Sequence, residues 1–263
     1  NVWIDWLSTT VSLSGSSKTF VFSYITSHHS MAVLFVRDGV KIWDGGGDDN
    51  NWSTQNNWSG NSSPGVSDTV IFNSSSTKNV FINFNINVGS ISIEAAYTGT
   101  MIQSMDVTIQ GSFEQYGGTF ISDPLHDLTI GKNFRIPDSY GSFTRFTGDG
   151  DDLSPYLIYD VYGLQAARVN WDKSFELAND IDASPTSNWK RSATFEGFNP
   201  IGFSSIESGY YGGATNPFTG SFDGKNYVIS GLKITRNRVF TGLFGAAYGA
   251  EISNIGVEDL YIV

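Results

Sequence analysis

The sequence predicts an all-β fold, a parallel β-helix in one or two stacked segments, preceded by β-strands and broken by one short helix. Three observations predict it. Short apolar runs recur roughly every 8 to 12 residues from "TVIFN" near position 70 to "DLYIV" at the end, the spacing of strands joined by tight turns. Gly contributes 29 of 263 residues, supplying the many turns that such strands need. Charged residues are 16% of the chain, well below the roughly 25% of an ordinary soluble domain.

Residues 1–40 form a first part. "VWIDWLSTTVSLS", "KTFVFSYIT" and "MAVLFVRDG" are rich in aromatic and β-branched residues, which fit sandwich or edge strands. Residues 41–147 form a second part, opening with "WDGGGDDNNWSTQNNWSG" and continuing as "TVIFN", "VFINF", "SISIE", "TMIQ", "VTIQG", "GTFIS" and "LTIG". Such short, even strands are better stacked as the coils of a β-helix than laid out as a sandwich, whose strands are longer. The turn "GDGDD" then separates a third part, 153–263. Its first element is a predicted helix, "DVYGLQAARVNW", in which Asp160 is the N-cap and Val161, Leu164 and Ala167 make one apolar stripe. In "FDGKN", Asp223 is expected to bond local backbone and Gly224 to supply positive φ, so that "YVIS" continues as a strand.

Composition also excludes. Formal net charge is −11, from 26 acidic and 15 basic residues, so a partner held through phosphate neutralisation is not expected, nucleic acid and anionic membrane surfaces included. The longest apolar run, "MAVLFV", is far short of the roughly 20 residues of a membrane span. Without cysteine there are neither disulfides nor thiolate metal sites. The chain opens on Asn1 with no signal-peptide pattern, as a processed product or a piece of a longer chain would.

The words "ELANDIDAS", "FNPIG", "FTGSFDGKNYVISGLKI", "GLFG" and "AEISNIGVEDLYI" occur in that order from about Pro155 to Val263. This stretch resembles the GLUG-repeat proteins of bacterial adhesins and other surface proteins. The resemblance implies a right-handed parallel β-helix at the cell surface or outside the cell. "WDGGGDDNNWSTQNNWSGNSSPGVSDTVIFN" is in turn similar to the openings of repeat-rich, autotransporter-like bacterial exoproteins.

Candidate chemistry is sparse, and no catalytic residue is expected. His28 and His29 are adjacent and face opposite sides of a strand, His126 stands alone, and no nucleophile-elbow motif occurs. Two acidic turns offer oxygen ligands suited to calcium: Asp44, Asp48 and Asp49, and, as the candidate metal site, Asp149, Asp151 and Asp152. The alternative for the latter three is a solvated linker. Trp52 and Trp58 are candidates for stacking on carbohydrate, with core anchors as the alternative.

The expected function is therefore that of a non-enzymatic surface or extracellular structural protein, an adhesin or filament-forming subunit. The alternative is a polysaccharide-binding or polysaccharide-degrading β-helix, which needs acidic and basic residues gathered on one outer face. A glycan or host-surface ligand fits either. A β-helix ending in a strand such as "DLYIV" invites another rung, from further repeats or from a second copy stacked end to end. Trp3, Trp6, Phe20 and Phe22 at one end and Leu260 and Ile262 at the other are the candidate assembly residues. The inward face is expected to include Ile82, Ile91, Ile93, Ile109, Ile130, Ile229, Leu232, Ile234, Leu243 and Phe244. Replacing Phe244 or Leu232 with Ala is expected to cost about 2 to 5 kcal/mol, read from the urea unfolding midpoint.

Overall fold

In "TVIF", "VFI" and "INV" every second residue is apolar, so each short strand has one face to bury. The computed structural model describes residues 39–136, 142–192, 195–202, 216–236 and 241–263. The chain divides into two compact units, Asn1–Asp38 and Gly39–Val263, and all the described residues lie in the second.

Those three strands, β2 (Thr69–Phe72), β3 (Val80–Ile82) and β4 (Ile86–Val88), make one circuit that the chain then repeats. The next is β5 (Ser90–Ile93), β6 (Thr100–Gln103) and β7 (Val107–Ile109). After it come β8 (Phe113–Gln115), β9 (Thr119–Ile121) and β10 (Leu128–Ile130), then β11 (Phe134–Arg135) and β12 (Ser142–Thr144). Every strand pairs in parallel with the strand three further on, giving the sheets β2-β5-β8-β11, β3-β6-β9-β12 and β4-β7-β10. Register puts like on like: Val70, Ile91, Phe113 and Phe134 stack in one column. Val80, Met101, Phe120 and Phe143 stack in a second, and Ile86, Val107 and Leu128 in a third. All of these side chains are buried. Strands of three or four residues cannot stand alone, and the columns provide the apolar burial that holds them.

Polar residues inside the stack serve the corners. Gln115 donates through Nε2 to the carbonyls of Gly117 (3.1 Å) and Ser142 (2.9 Å), and Gln103 to those of Met105 and Asp127, both at 3.0 Å. These bonds give backbone carbonyls inside and at the edges of the stack a side-chain donor.

One end of the stack is closed. β1 (Val40–Ile42) pairs with β2, and the segment after it brings Trp43, Trp52 and Trp58 over the first circuit. Their rings meet one another and Phe72 at 4.6 to 6.2 Å between centroids, largely edge to face.

The predicted helix is present but shorter than its pattern. α1 (Val161–Ala166) continues only as a 3₁₀ turn over Ala167–Val169. Asp160 caps it as expected, accepting from the backbone N–H groups of Tyr162 (3.0 Å) and Gly163 (2.9 Å). The same carboxylate receives Nε–H of the buried Arg145 at 2.7 Å, and Arg145 also donates to Ser122 Oγ and to the carbonyls of Asp123 and His126, each at 2.8 Å. Tyr162 reaches back to the first stack, its hydroxyl oxygen accepting from Ile130 N–H at 3.1 Å. Burial pushes the Tyr162 phenol up to about 12 from an ordinary 10.0. The folded chain thus holds the neutral phenol, whose contribution to stability is complete below about pH 10 and is lost as pH rises through about 12. An alkaline titration monitored by phenolate absorbance is expected to show this tyrosine ionising together with unfolding.

After the helix, the strands again stack in parallel. β13 (Tyr156–Ile158), β14 (Ser174–Leu177), β18 (Ser221–Asp223) and β21 (Glu251–Ser253) form one sheet. β15 (Ile181–Asp182), β19 (Val228–Ser230) and β22 (Gly256–Glu258) form another. The third departs from the expectation of parallel rungs throughout. β16 (Lys190–Ser192) and β17 (Phe195–Gly197) are an antiparallel pair, and β17 runs antiparallel to β20 (Lys233–Arg236), which alone pairs in parallel with β23 (Tyr261–Ile262). Only two residues join β16 to β17, a connection that a parallel pair cannot make.

Eight of the ten expected inward residues are buried, from Ile82 to Ile234, while Leu243 and Phe244 are half-buried against the core. Leu232→Ala therefore keeps the full expected range of loss, and Phe244→Ala falls at its lower end. The turn in "FDGKN" is built differently from the expectation. Asp223 Oδ1 does accept from Lys225 N–H at 2.8 Å, but the positive φ angles fall on Lys225 and Asn226. Gly224 is needed for closeness: a Cβ there would lie 2.3 Å from the carbonyl oxygen of Asn254 in the next rung.

Candidate functional site

Register places Glu176, Asp223 and Ser253 side by side on the outer face of the β13-β14-β18-β21 sheet, with Ser174, Ser221 and Glu251 as a second row. Between them runs a groove of about 310 Å³, walled by Asp152 and Pro155. Asp152 is held by Ser174, whose hydroxyl donates to its Oδ1 at 2.6 Å. Lys225 reaches over the rows, its Nζ 3.2 Å from Glu176 Oε1 and 3.6 Å from Asp223 Oδ2. Asn254 donates to Asp223 Oδ1 at 2.9 Å. That hydrogen bond, the Lys225 backbone N–H and the Lys225 charge together hold the Asp223 carboxyl below its ordinary value. Glu176 in turn raises the Lys225 ammonium.

Asp152, Glu176, Asp223 and Glu251 line the groove and Lys225 pairs with two of them, Glu176 and Asp223, so the site accepts hydrogen bonds and repels anions. Asp223, ionised at neutral pH, has no proton to give as a general acid. The groove therefore suits hydroxyl-rich or cationic ligands. Sequence reading missed it, although a signal was present: "SFE" at 174–176 and "SFD" at 221–223 are one word repeated, and laying one over the other stacks Glu176 on Asp223.

The expected site residues are distributed differently. Trp52 and Trp58 are fully buried, and Trp58 Nε1–H donates to the Trp52 carbonyl at 2.7 Å. Neither indole offers a face to a sugar, so both are core anchors. Asp149, Asp151 and Asp152 lie in a tight turn within the second unit. Asp151 Oδ1 accepts from the backbone N–H groups of Leu153 (2.9 Å) and Ser154 (2.8 Å), while Asp152 is turned to Ser174 and the groove. Among the described residues, no group of three or more His, Asp or Glu side chains is placed to hold a metal ion. In the other acidic turn, Asp49 takes hydrogen bonds from Thr54, Asn51 and Asn57, which lower its pKa and tie down the tryptophan loop. His126 sits between Asp106 (3.6 Å) and Asp123 (4.0 Å) at an exposed corner. Leu260 and Ile262 are exposed on the last rung; Trp3, Trp6, Phe20, Phe22, His28 and His29 lie outside the described residues.

No protein-family model matches the chain, and no solved structure matches it. Over 103 residues, 38% of its length, the chain is 34% identical to halomucin of Haloquadratum walsbyi (strain DSM 16790 / HBSQ001). The matched stretch is 1% of halomucin, so the likeness spans a small part of that protein. Among the described residues, no helix is long and apolar enough to cross a membrane.

Proposed function

We propose that this chain is part of a non-enzymatic structural protein of the cell surface or extracellular space, an adhesin or filament-forming subunit. In this reading it is a right-handed parallel β-helix whose residues 153–263 are GLUG-type repeats. The observation that carries the reading is the three-strand circuit repeated in register, an architecture that lengthens by adding rungs and offers long faces for contact. The likeness to halomucin is compatible with an extracellular setting.

Ile252, Val257 and Ile262 stand in register with the buried Phe222, Ile229 and Ile234, and each is more than a third exposed. A further rung, from additional repeats or a second copy, would bury all three and pair their strands. Antibody against the chain is expected to label intact, unpermeabilised cells of the source organism. Label seen only after permeabilisation would sink the surface reading.

The acidic groove favours a second reading, a polysaccharide-binding or polysaccharide-degrading β-helix, because its carboxylates can accept sugar hydroxyl protons. Incubation with a panel of neutral and acidic glycans separates the two. The structural reading expects no new reducing or unsaturated ends, and their appearance, abolished by Glu176→Gln, would establish the enzyme.

A further inference from the structure

The outer face of the β3-β6-β9-β12 sheet differs from the others in what it presents to water. Alternation turns Phe81, Ile102 and Ile121 outward in one register-aligned column, and Thr100, Thr119 and Ser142 outward in the next. At the adjoining corner Phe84, Met105 and Leu125 extend the apolar column sideways. Ile102 is half-buried, and the other five apolar side chains range in exposure from 38% at Phe81 and Met105 to 69% at Leu125. A sheet with one solvated face ordinarily makes that face polar. Here three successive rungs place large apolar side chains on it, a continuous patch of roughly 400 Å², within the range of the largest patch on a typical monomer, which is often functional.

We infer that this face is a lateral pairing surface for a second copy of the same chain. Charge selects the occupant. The protein carries a net charge of −11, so two copies repel wherever carboxylates meet. The outward columns of this sheet contain no charged residue, whereas the β2-β5-β8-β11 face carries Glu114 and Arg135 and the β13-β14-β18-β21 face carries the acidic groove. Acidic residues flank the apolar columns on the corner side, at Asp106, Asp123 and Asp127. A two-fold axis parallel to the stack brings that flank of one copy against the hydroxyl column of the other, where carboxylates accept from Thr and Ser. Two such faces with their hydroxyl columns bury on the order of 1,200 Å², the lower limit of a specific interface, so the pairing is a modest one. It is lateral, and it is independent of any rung stacked on the C-terminal end.

The chain has no cysteine, so a single one reports on one place. In the whole 263-residue chain, Ile102→Cys sits at the centre of the apolar column and Thr108→Cys sits outward on the neighbouring β4-β7-β10 sheet. With a short bismaleimide, the Ile102→Cys chain is expected to form covalent dimer about tenfold faster than the Thr108→Cys chain, and adding Ile121→Lys to it is expected to abolish the difference. Should Ile121→Lys prevent folding, Thr119→Lys places the charge on the same face outside the apolar column. Equal rates from the two cysteines, or a rate indifferent to the lysine, overturns the proposal. Dimer that forms through Ile102→Cys only after residues 1–38 are removed also overturns it, and assigns the face to the chain's own N-terminal segment.

Discussion

Arg145→Met is expected to lower the free energy of unfolding by about 3 kcal/mol, because the buried guanidinium makes four charge-assisted hydrogen bonds. Four groups each lose one donor: the Asp160 carboxylate, Ser122 Oγ, and the carbonyls of Asp123 and His126. Methionine fills much of the space but supplies no hydrogen bond, so the loss is of polar satisfaction rather than of volume. Asp160→Asn retains an N-cap for α1 and removes only the charge, and should cost clearly less. Urea unfolding of the two variants gives the comparison. A change below about half a kcal/mol for Arg145→Met would mean that water takes over its bonds and that the contact is not what joins the first strands to the helix.

The second large effect is expected at the closed end. Trp58→Ala should cost about 3 to 5 kcal/mol, as for other large aromatic side chains emptied from a packed site. Trp58 is fully buried, lies against Trp43, Trp52 and Phe72, and donates its indole N–H to Trp52. Its removal leaves a cavity beside the first circuit, so amide hydrogen exchange should quicken first in β2 and β3 and least in β22 and β23. Uniform quickening along the whole chain would show that the tryptophans stabilise the stack globally and do not act as a cap.

Much of the fold was legible because its signal is periodic. Apolar residues at alternate positions, with turn residues every few steps, fix which side chains point inward, and Ile82, Ile91, Ile109 and Ile229 do so. The hairpin β16–β17 escaped because Lys190-Arg191-Ser192 has no apolar alternation to mark it as a strand, and the direction of pairing leaves no mark in composition. The site was less legible for a related reason. Trp52 and Trp58 look like a sugar platform when only composition is read, and their burial depends on neighbours as distant in sequence as Phe72 and Phe81. The groove is assembled from Asp152, Glu176, Asp223 and Glu251, residues up to 99 positions apart that only stacking brings together.

The tryptophan lid over the first circuit also gives the molecule a direction in time. Paired residues in the first sheet are 21, 22 and 21 positions apart, so each circuit can dock on the one made just before it. A polypeptide emerging N-terminus first from a ribosome can therefore begin to fold as it appears, with the lid as seed and every finished circuit as template for the next.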